Sequence, residues 1–191
     1  PPGSFSQETF LKKLISPFIL RRLKSQVLEE LPPKTEIVLQ VELSEDETAF
    51  YEALRRNALT QIERSTSPGK RQMTILAAIM KLRRACCDPS MVLPDTTLTS
   101  SKLRLLKTII SELRENNHKA LVFSQFVGYL KIIRAYLDNA GIDYRYLDGS
   151  TPARKRQEEV EAFQAGSGDI FLISLKAGGT GLNLTAADYV L

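Results

Sequence analysis

The sequence predicts an α/β fold: a parallel sheet flanked by helices, preceded by a mostly helical segment and a helical hairpin. Three observations carry this. Short runs of strand formers (ALVF, YRYL, DIFLIS and DYVL) recur across residues 120–191, with helical periods between them. Strands alternating with helices at this spacing imply right-handed crossovers and therefore parallel strands. Before residue 100 the pattern is instead almost wholly helical. With 191 residues, 43% hydrophobic and 25% charged, the chain can bury a sizeable core.

Taken in order, SQETFLKKL places Phe10, Leu11, Leu14 and Ile15 on an amphipathic turn or two that ends before Pro17. PFILRRLKSQVLEELPPK then sets Leu20, Leu23, Val27, Leu28 and Leu31 on one helical stripe, with a double-proline stop. EIVLQVEL alternates, with Ile37, Leu39, Val41 and Leu43 on one face, and predicts a strand. Ser44, with Glu47 three residues on, has the spacing of a capping box for a helix through YEALRRNALTQI. ERSTSPGKR reads as a polar linker, and QMTILAAIMKLRRACC as the second helix of a hairpin closed by Asp88-Pro89. Arg83 and Arg84 near its end are expected to face solvent.

Ser100 or Ser101 is expected to cap a helix through Leu103, Leu106, Ile109, Ile110 and Leu113. The strand ALVF follows, then a helix (VGYLKIIRAYLDNA) stopped by Gly141, and the strand YRYL. The next helix is expected to open at Thr151, with Pro152 at its first position, where a missing N–H is harmless. DIFLIS, a glycine turn and DYVL complete the pattern. Pro1, and Leu191 inside an apolar run, are expected to be cuts within a longer protein.

Composition removes several classes of function. Cys86 and Cys87 are adjacent, which disfavours a disulfide between them, and His118 is the single histidine, so no zinc ligand set exists. The longest uninterrupted apolar run, Ile75 to Met80, is too short to cross a bilayer, and no secretory signal pattern opens the sequence. These features imply an intracellular protein with no membrane partner. The net charge of +4 leans towards a polyanionic partner without establishing one; residues 1–34 carry six basic and three acidic side chains.

In open parallel sheets, ligands gather beyond the carboxyl ends of the strands. Here those ends carry Ser124-Gln125, then Asp148-Gly149-Ser150-Thr151, then Lys176 to Asn183, all small, polar or glycine-bearing. Gly149-Ser150-Thr151 leads into a helix N-terminus, where backbone N–H groups favour an anion. Alternatively, Thr151 only caps its own helix. In the glycine turn, Gly178, Gly179 and Gly181 let backbone amides approach an anion closely, Thr180 adds a hydroxyl and Lys176 a positive charge.

The common nucleotide motifs are missing. No stretch satisfies G-x-x-x-x-G-K-[ST], and the dinucleotide pattern beginning at Gly179 and Gly181 finds Leu184 in place of its third glycine. No strand end carries two neighbouring carboxylates suited to Mg²⁺. The chain is therefore expected to lack its own phosphate-cleaving machinery and to contain no catalytic or metal-binding residue.

Nearly the whole chain resembles, in order, the second motor lobe of Swi/Snf-type ATPases, the remodelling and DNA-translocating branch of superfamily 2 helicases. PFILRRLKSQVLEELPPK is similar to the inter-lobe segment and KLRRACCDP to the helix end before the lobe. SSKLRLL is similar to the start of the lobe, and HKALVFSQF to motif IV. YRYLDGSTPARKRQ resembles the next block, with Arg156-Gln157 at the family's Arg-Gln position, and DIFLISLKAGGTGLNLTAADYV resembles motif V, in wording closest to bacterial members. The resemblance implies a RecA-like lobe over 100–191, truncated before motif VI, a strand plus helical protrusion over 35–99, and an inter-lobe helical linker over 1–34.

By the same resemblance, two lobes close around ATP and Mg²⁺, bound mainly by the first lobe, while double-stranded DNA crosses both. Gln125, Ser150, Thr151, Lys176 and Thr180 become candidates for gripping the DNA backbone, with Gly178, Gly179 and Gly181 facing the nucleotide cleft. Such contacts are electrostatic and indifferent to sequence. The expected partners are duplex DNA and the first lobe of the parent protein, in the nucleus or the bacterial nucleoid. Alone, the fragment is expected neither to hydrolyse ATP nor to move DNA. The alternative is a non-catalytic DNA- or protein-binding module that keeps the lobe's fold.

Overall fold

The computed structural model describes residues 4–19, 35–65, 67–178 and 182–191. Two compact units are present, Pro1–Leu39 and Gln40–Leu191. In the first, helix α1 (Ser4–Ile15) passes into a 3₁₀ turn at Ser16–Phe18, with Pro17 early in that turn, where its missing N–H is tolerated. The apolar stripe read from the sequence is present, but Phe10, Leu11, Leu14 and Ile15 are all exposed. The expected helix over residues 20–34 lies outside the described residues.

EIVLQVEL is not a strand. Residues 35–44 form no ladder with any described strand, and Ile37 and Val38, neighbours that a half-buried strand would turn to opposite faces, are 76% and 87% exposed. Alternation supplies a face, but a strand also needs a hydrogen-bonding partner.

The second unit begins with the hairpin. Helix α2 (Glu45–Glu63) carries the expected capping box: Ser44 Oγ accepts from the Glu47 amide and the Glu47 carboxylate accepts from the Ser44 amide. Helix α3 (Pro68–Cys87) starts earlier than its apolar period does, because Ser67 caps it and Pro68 sits at its first position, leaving a shorter linker. Asp88 then caps a 3₁₀ turn at Pro89–Met91.

Helix α4 (Ser101–Glu115) is capped by Ser100, whose hydroxyl accepts from the Leu103 amide and donates to the Cys87 carbonyl at the end of α3. Glu47 adds a second tie. Its buried carboxylate accepts from the Ser101 amide at 2.9 Å and from the Ser101 hydroxyl, so one side chain serves the N-termini of both α2 and α4. These two ties fasten the hairpin to the sheet-bearing part of the unit.

The sheet contains β1 (Ala120–Ser124), β2 (Tyr144–Leu147), β3 (Ile170–Ser174) and β4 (Tyr189–Val190), in the order β2-β3-β1-β4, and every pairing is parallel. Ala120, Val122, Ile170 and Leu172 point to one face, where α4 and α5 (Val127–Asn139) supply Ile110, Leu113, Leu130, Ile133 and Leu137. Leu121, Leu147, Phe171 and Ile173 point to the other and pack on Phe163 of α6 (Ala153–Gln164). Period-two alternation between two covered faces explains why the strands read as continuous apolar runs. Gly141 ends α5 with φ at +63°, as expected of a helix-stopping glycine. This is the α/β architecture of a RecA-like lobe.

Candidate functional site

Because β1, β2 and β3 are parallel, the segments that leave their carboxyl ends emerge at one edge of the sheet. Gln125 follows β1, Ser150 and Thr151 follow β2, and Lys176 follows β3 in a single helical turn, α7 (Leu175–Gly178), that the sequence reading took for open turn. Thr180, Gly179 and Gly181 lie outside the described residues.

Asp148 organises the second segment. Its carboxylate is buried and accepts from the Ser150 amide (2.8 Å), the Ser150 hydroxyl (2.6 Å) and the Tyr146 hydroxyl (2.7 Å). The Ser150 hydroxyl, aided by Tyr146, the Ser150 amide and Thr151, holds its carboxyl below the usual carboxylate range against the opposing effect of burial. Burial, and then the bond to Asp148, pushes the Tyr146 phenol up to about 12. The guanidinium of Arg134 lies 4.5 Å from the Tyr146 ring centroid and backs it from the other side.

Thr151 does not cap α6. Its hydroxyl accepts from the Asp148 amide at 3.1 Å, closing the loop on itself, and Pro152 takes the cap position without a side-chain hydrogen bond. The competing local turn has won the hydroxyl. The first turn of α6 is thus left with neither a side-chain cap nor an acidic residue, the condition in which a helix N-terminus best receives an anion. Ser150 spends its one hydroxyl hydrogen on Asp148. Asp148→Ala should unlace this loop and lower stability by about 1–3 kcal/mol. Urea denaturation would test it; a midpoint equal to wild type would mean that these bonds hold nothing.

Helix α6 also clamps both flanks of the third segment. Arg156 donates to the Ala177 carbonyl at 3.3 Å, and Gln164 bonds the Asn183 carbonyl, the Thr185 hydroxyl and the Ala186 amide. Gly178 is fixed by crowding: a Cβ there would sit 2.6 Å from Phe123 Cε1. Lys176 is exposed. Two groups escaped the sequence reading. Arg83 does not simply face solvent, for it donates to the Gln125 amide oxygen, while Arg84 donates to the Met91 carbonyl. Asp148 reads in the sequence only as part of a polar strand end, although D-x-S before a helix is a turn signature.

A family model described as the SNF2-related domain matches residues 6–91, and another, the helicase conserved C-terminal domain, matches 101–191. The SWI2/SNF2 ATPase core domain of Sulfolobus solfataricus superposes with a TM-score of 0.76 at 31% identity, over 98% of this chain and 40% of that one. The chain belongs to the Swi/Snf family. A second Swi/Snf structure from the same organism, the SWI2/SNF2 ATPase C-terminal domain, gives a TM-score of 0.70 at 29% identity, over 78% of this chain and 67% of that one.

Among curated relatives, the chromodomain-helicase-DNA-binding protein 1-like of Danio rerio is 36% identical over 191 residues, covering 95% of this chain and 18% of the relative. The human SWI/SNF-related matrix-associated actin-dependent regulator of chromatin subfamily A member 1 is 35% identical over 195 residues, with the same coverage. This Swi/Snf chain therefore spans about a fifth of the length of such relatives. None of these four proteins is bacterial, so they lend no support to the bacterial wording of motif V. Among the described residues, no helix is long and apolar enough to cross a membrane, and no cluster of three or more His, Cys, Asp or Glu side chains could hold a metal ion.

Proposed function

We propose that this chain is the second lobe of an ATP-driven motor that translocates on double-stranded DNA, and that its share of the work is to grip the backbone of one strand. The observation that carries this is the convergence of Gln125, the loop of Ser150 and Thr151, and Lys176 at one edge of a parallel sheet, beside an uncapped helix N-terminus. The open amides of that helix's first turn, the Gln125 side chain and the Lys176 cation suit phosphate oxygens and carry no base-edge readout, while the Ser150–Thr151 loop shapes the approach. By the family resemblance alone, Thr180 would join this grip and Gly178, Gly179 and Gly181 would serve the nucleotide side.

By the family resemblance, ATP and Mg²⁺ would be held mainly by the first lobe of the parent protein. When bound, the nucleotide would supply the driving reaction; this chain's residues bind and orient the duplex. The relatives' names point to chromatin as the setting.

The direct test is fluorescence anisotropy with a random-sequence duplex across a KCl series. The chain should bind weakly, with an affinity that falls steeply as salt rises. Affinity unchanged by salt, or no binding at low salt, would overturn the grip. ATP turnover by this chain with duplex DNA would equally contradict the assignment of hydrolysis to the pair of lobes.

In the parent motor, Lys176→Ala and Thr180→Ala should lower DNA-stimulated ATPase several-fold more than basal ATPase. Each removes a backbone contact, with a charge-assisted bond worth about 1.5–3 kcal/mol. Equal loss of both rates would assign these residues to nucleotide chemistry instead.

A further inference from the structure

We infer that Arg83, at the end of the helical hairpin, sets the orientation of the Gln125 amide and thereby presents its NH₂ group, rather than its oxygen, to a DNA phosphate. The inference rests on the reading that Gln125 belongs to the grip. Arg83 Nη2 donates to Gln125 Oε1, a contact between residues 42 apart in sequence. A guanidinium has five donors and no acceptor, so only the oxygen of the amide can face it. The nitrogen is left on the other arm of the same planar group, on an exposed side chain. Phosphate oxygens accept hydrogen bonds and do not donate them. An amide with its oxygen outward would repel a phosphate, and one with its nitrogen outward would bind it.

The guanidinium is itself held in place. Its central carbon lies 5.6 Å from the centroid of the Phe126 ring, the residue after Gln125. The stretch of α3 that bears it is fastened to the sheet-bearing part by the bond from Ser100 to the Cys87 carbonyl. Arg83 is thus a positioning residue. It reaches the duplex through Gln125, and it gives the hairpin control over one of the three grip segments.

The test uses the whole chain, a fluorescein-labelled duplex and anisotropy over a KCl series. Gln125→Ala should weaken binding about 10- to 150-fold, the range expected when a hydrogen bond to a charged group is lost. Arg83→Gln should weaken it by somewhat less, and Arg83/Gln125 double substitution by no more than Gln125→Ala alone. The salt slope should be unchanged by Arg83→Gln, because a positioning residue neutralises no phosphate. Arg83→Lys, still a pure donor, should restore much of the affinity.

Gln125→Glu is the sharpest arm. It strengthens the contact with Arg83 but has no hydrogen to offer a phosphate, so affinity should fall at least as far as with alanine. If Arg83→Gln lowers the log–log salt slope by about 0.9 and its loss adds to that of Gln125→Ala, then Arg83 binds phosphate itself. The positioning role is then overturned while the DNA grip stands. If Gln125→Ala leaves duplex affinity untouched, or the wild-type chain binds no duplex at all, both the role of Gln125 in the grip and the proposal built on it fall.

Discussion

Glu47→Ala should lower the unfolding free energy by about 2–4 kcal/mol, one of the two largest effects we expect from a single substitution in this chain. The reason lies in the number of groups one carboxylate satisfies. Its oxygens accept from the Ser44 amide (3.0 Å), the Ser44 hydroxyl (3.1 Å), the Ser101 amide (2.9 Å) and the Ser101 hydroxyl, in a residue only 5% exposed. Removing it orphans an N–H at the start of α2 and another at the start of α4, and buried donors without acceptors are costly. It also cuts one of the two ties between hairpin and sheet. Glu47→Gln should lose nearly as much, since it turns one acceptor into a donor aimed at donors.

The same carboxylate makes stability depend on pH. Burial alone would raise its pKa, but the bonds from Ser101 and Ser44 outweigh burial and hold it below the ordinary value of 4.5. As pH falls, the unfolded chain therefore takes up this proton before the folded chain does. The contribution of Glu47 is complete above the ordinary value and is lost as pH drops through the lower, folded one. Urea midpoints measured between neutral and acid pH should fall more steeply for wild type than for Glu47→Ala. Parallel curves, or equal midpoints at neutral pH, would show that the carboxylate is not the link described.

The contrast between what the sequence discloses and what it hides follows the range of each interaction. The capping box was legible because Ser44 and Glu47 are three residues apart, whereas the bond to Ser101 spans 54 residues and leaves no local trace. The strands of the sheet were legible because both faces are covered, so each reads as an apolar run between turn residues. EIVLQVEL misled for the complementary reason: its period is that of a strand, but period says nothing about a partner. At the site, the three loop segments were readable as polar strand ends. Their organisation was not, because Thr151 had two bonds open to it, the helix cap and the Asp148 amide, and spacing alone does not rank them. Arg83 resembled any basic residue on an exposed helix, and only the fold brings it to Gln125.

Gly178→Ala is the second large effect, and it separates two reasons for a glycine at this edge. The sequence suggests that the turn is bare so that an anion can approach. The structure adds a steric reason: the backbone is helical at Gly178, without a left-handed φ, and the space for a Cβ is taken by Phe123 Cε1 at 2.6 Å and Ile173 Cγ2 at 3.3 Å. The Phe123 ring packs in the cluster beneath α6, so it cannot simply swing away. An added methyl should therefore cost about 1–3 kcal/mol, as overpacking does, and displace the turn that carries Lys176. Duplex affinity should fall with stability. Phe123→Leu removes the obstructing edge of the ring, so combining it with Gly178→Ala should give a smaller loss than the two single losses added, by roughly 1 kcal/mol. If the double variant regains stability but not duplex affinity, bareness at 178 serves the ligand as well as the packing. If both return together, the glycine is there for Phe123, and the approach to phosphate belongs to the residues that follow it. Strict additivity in denaturation would exclude the clash itself.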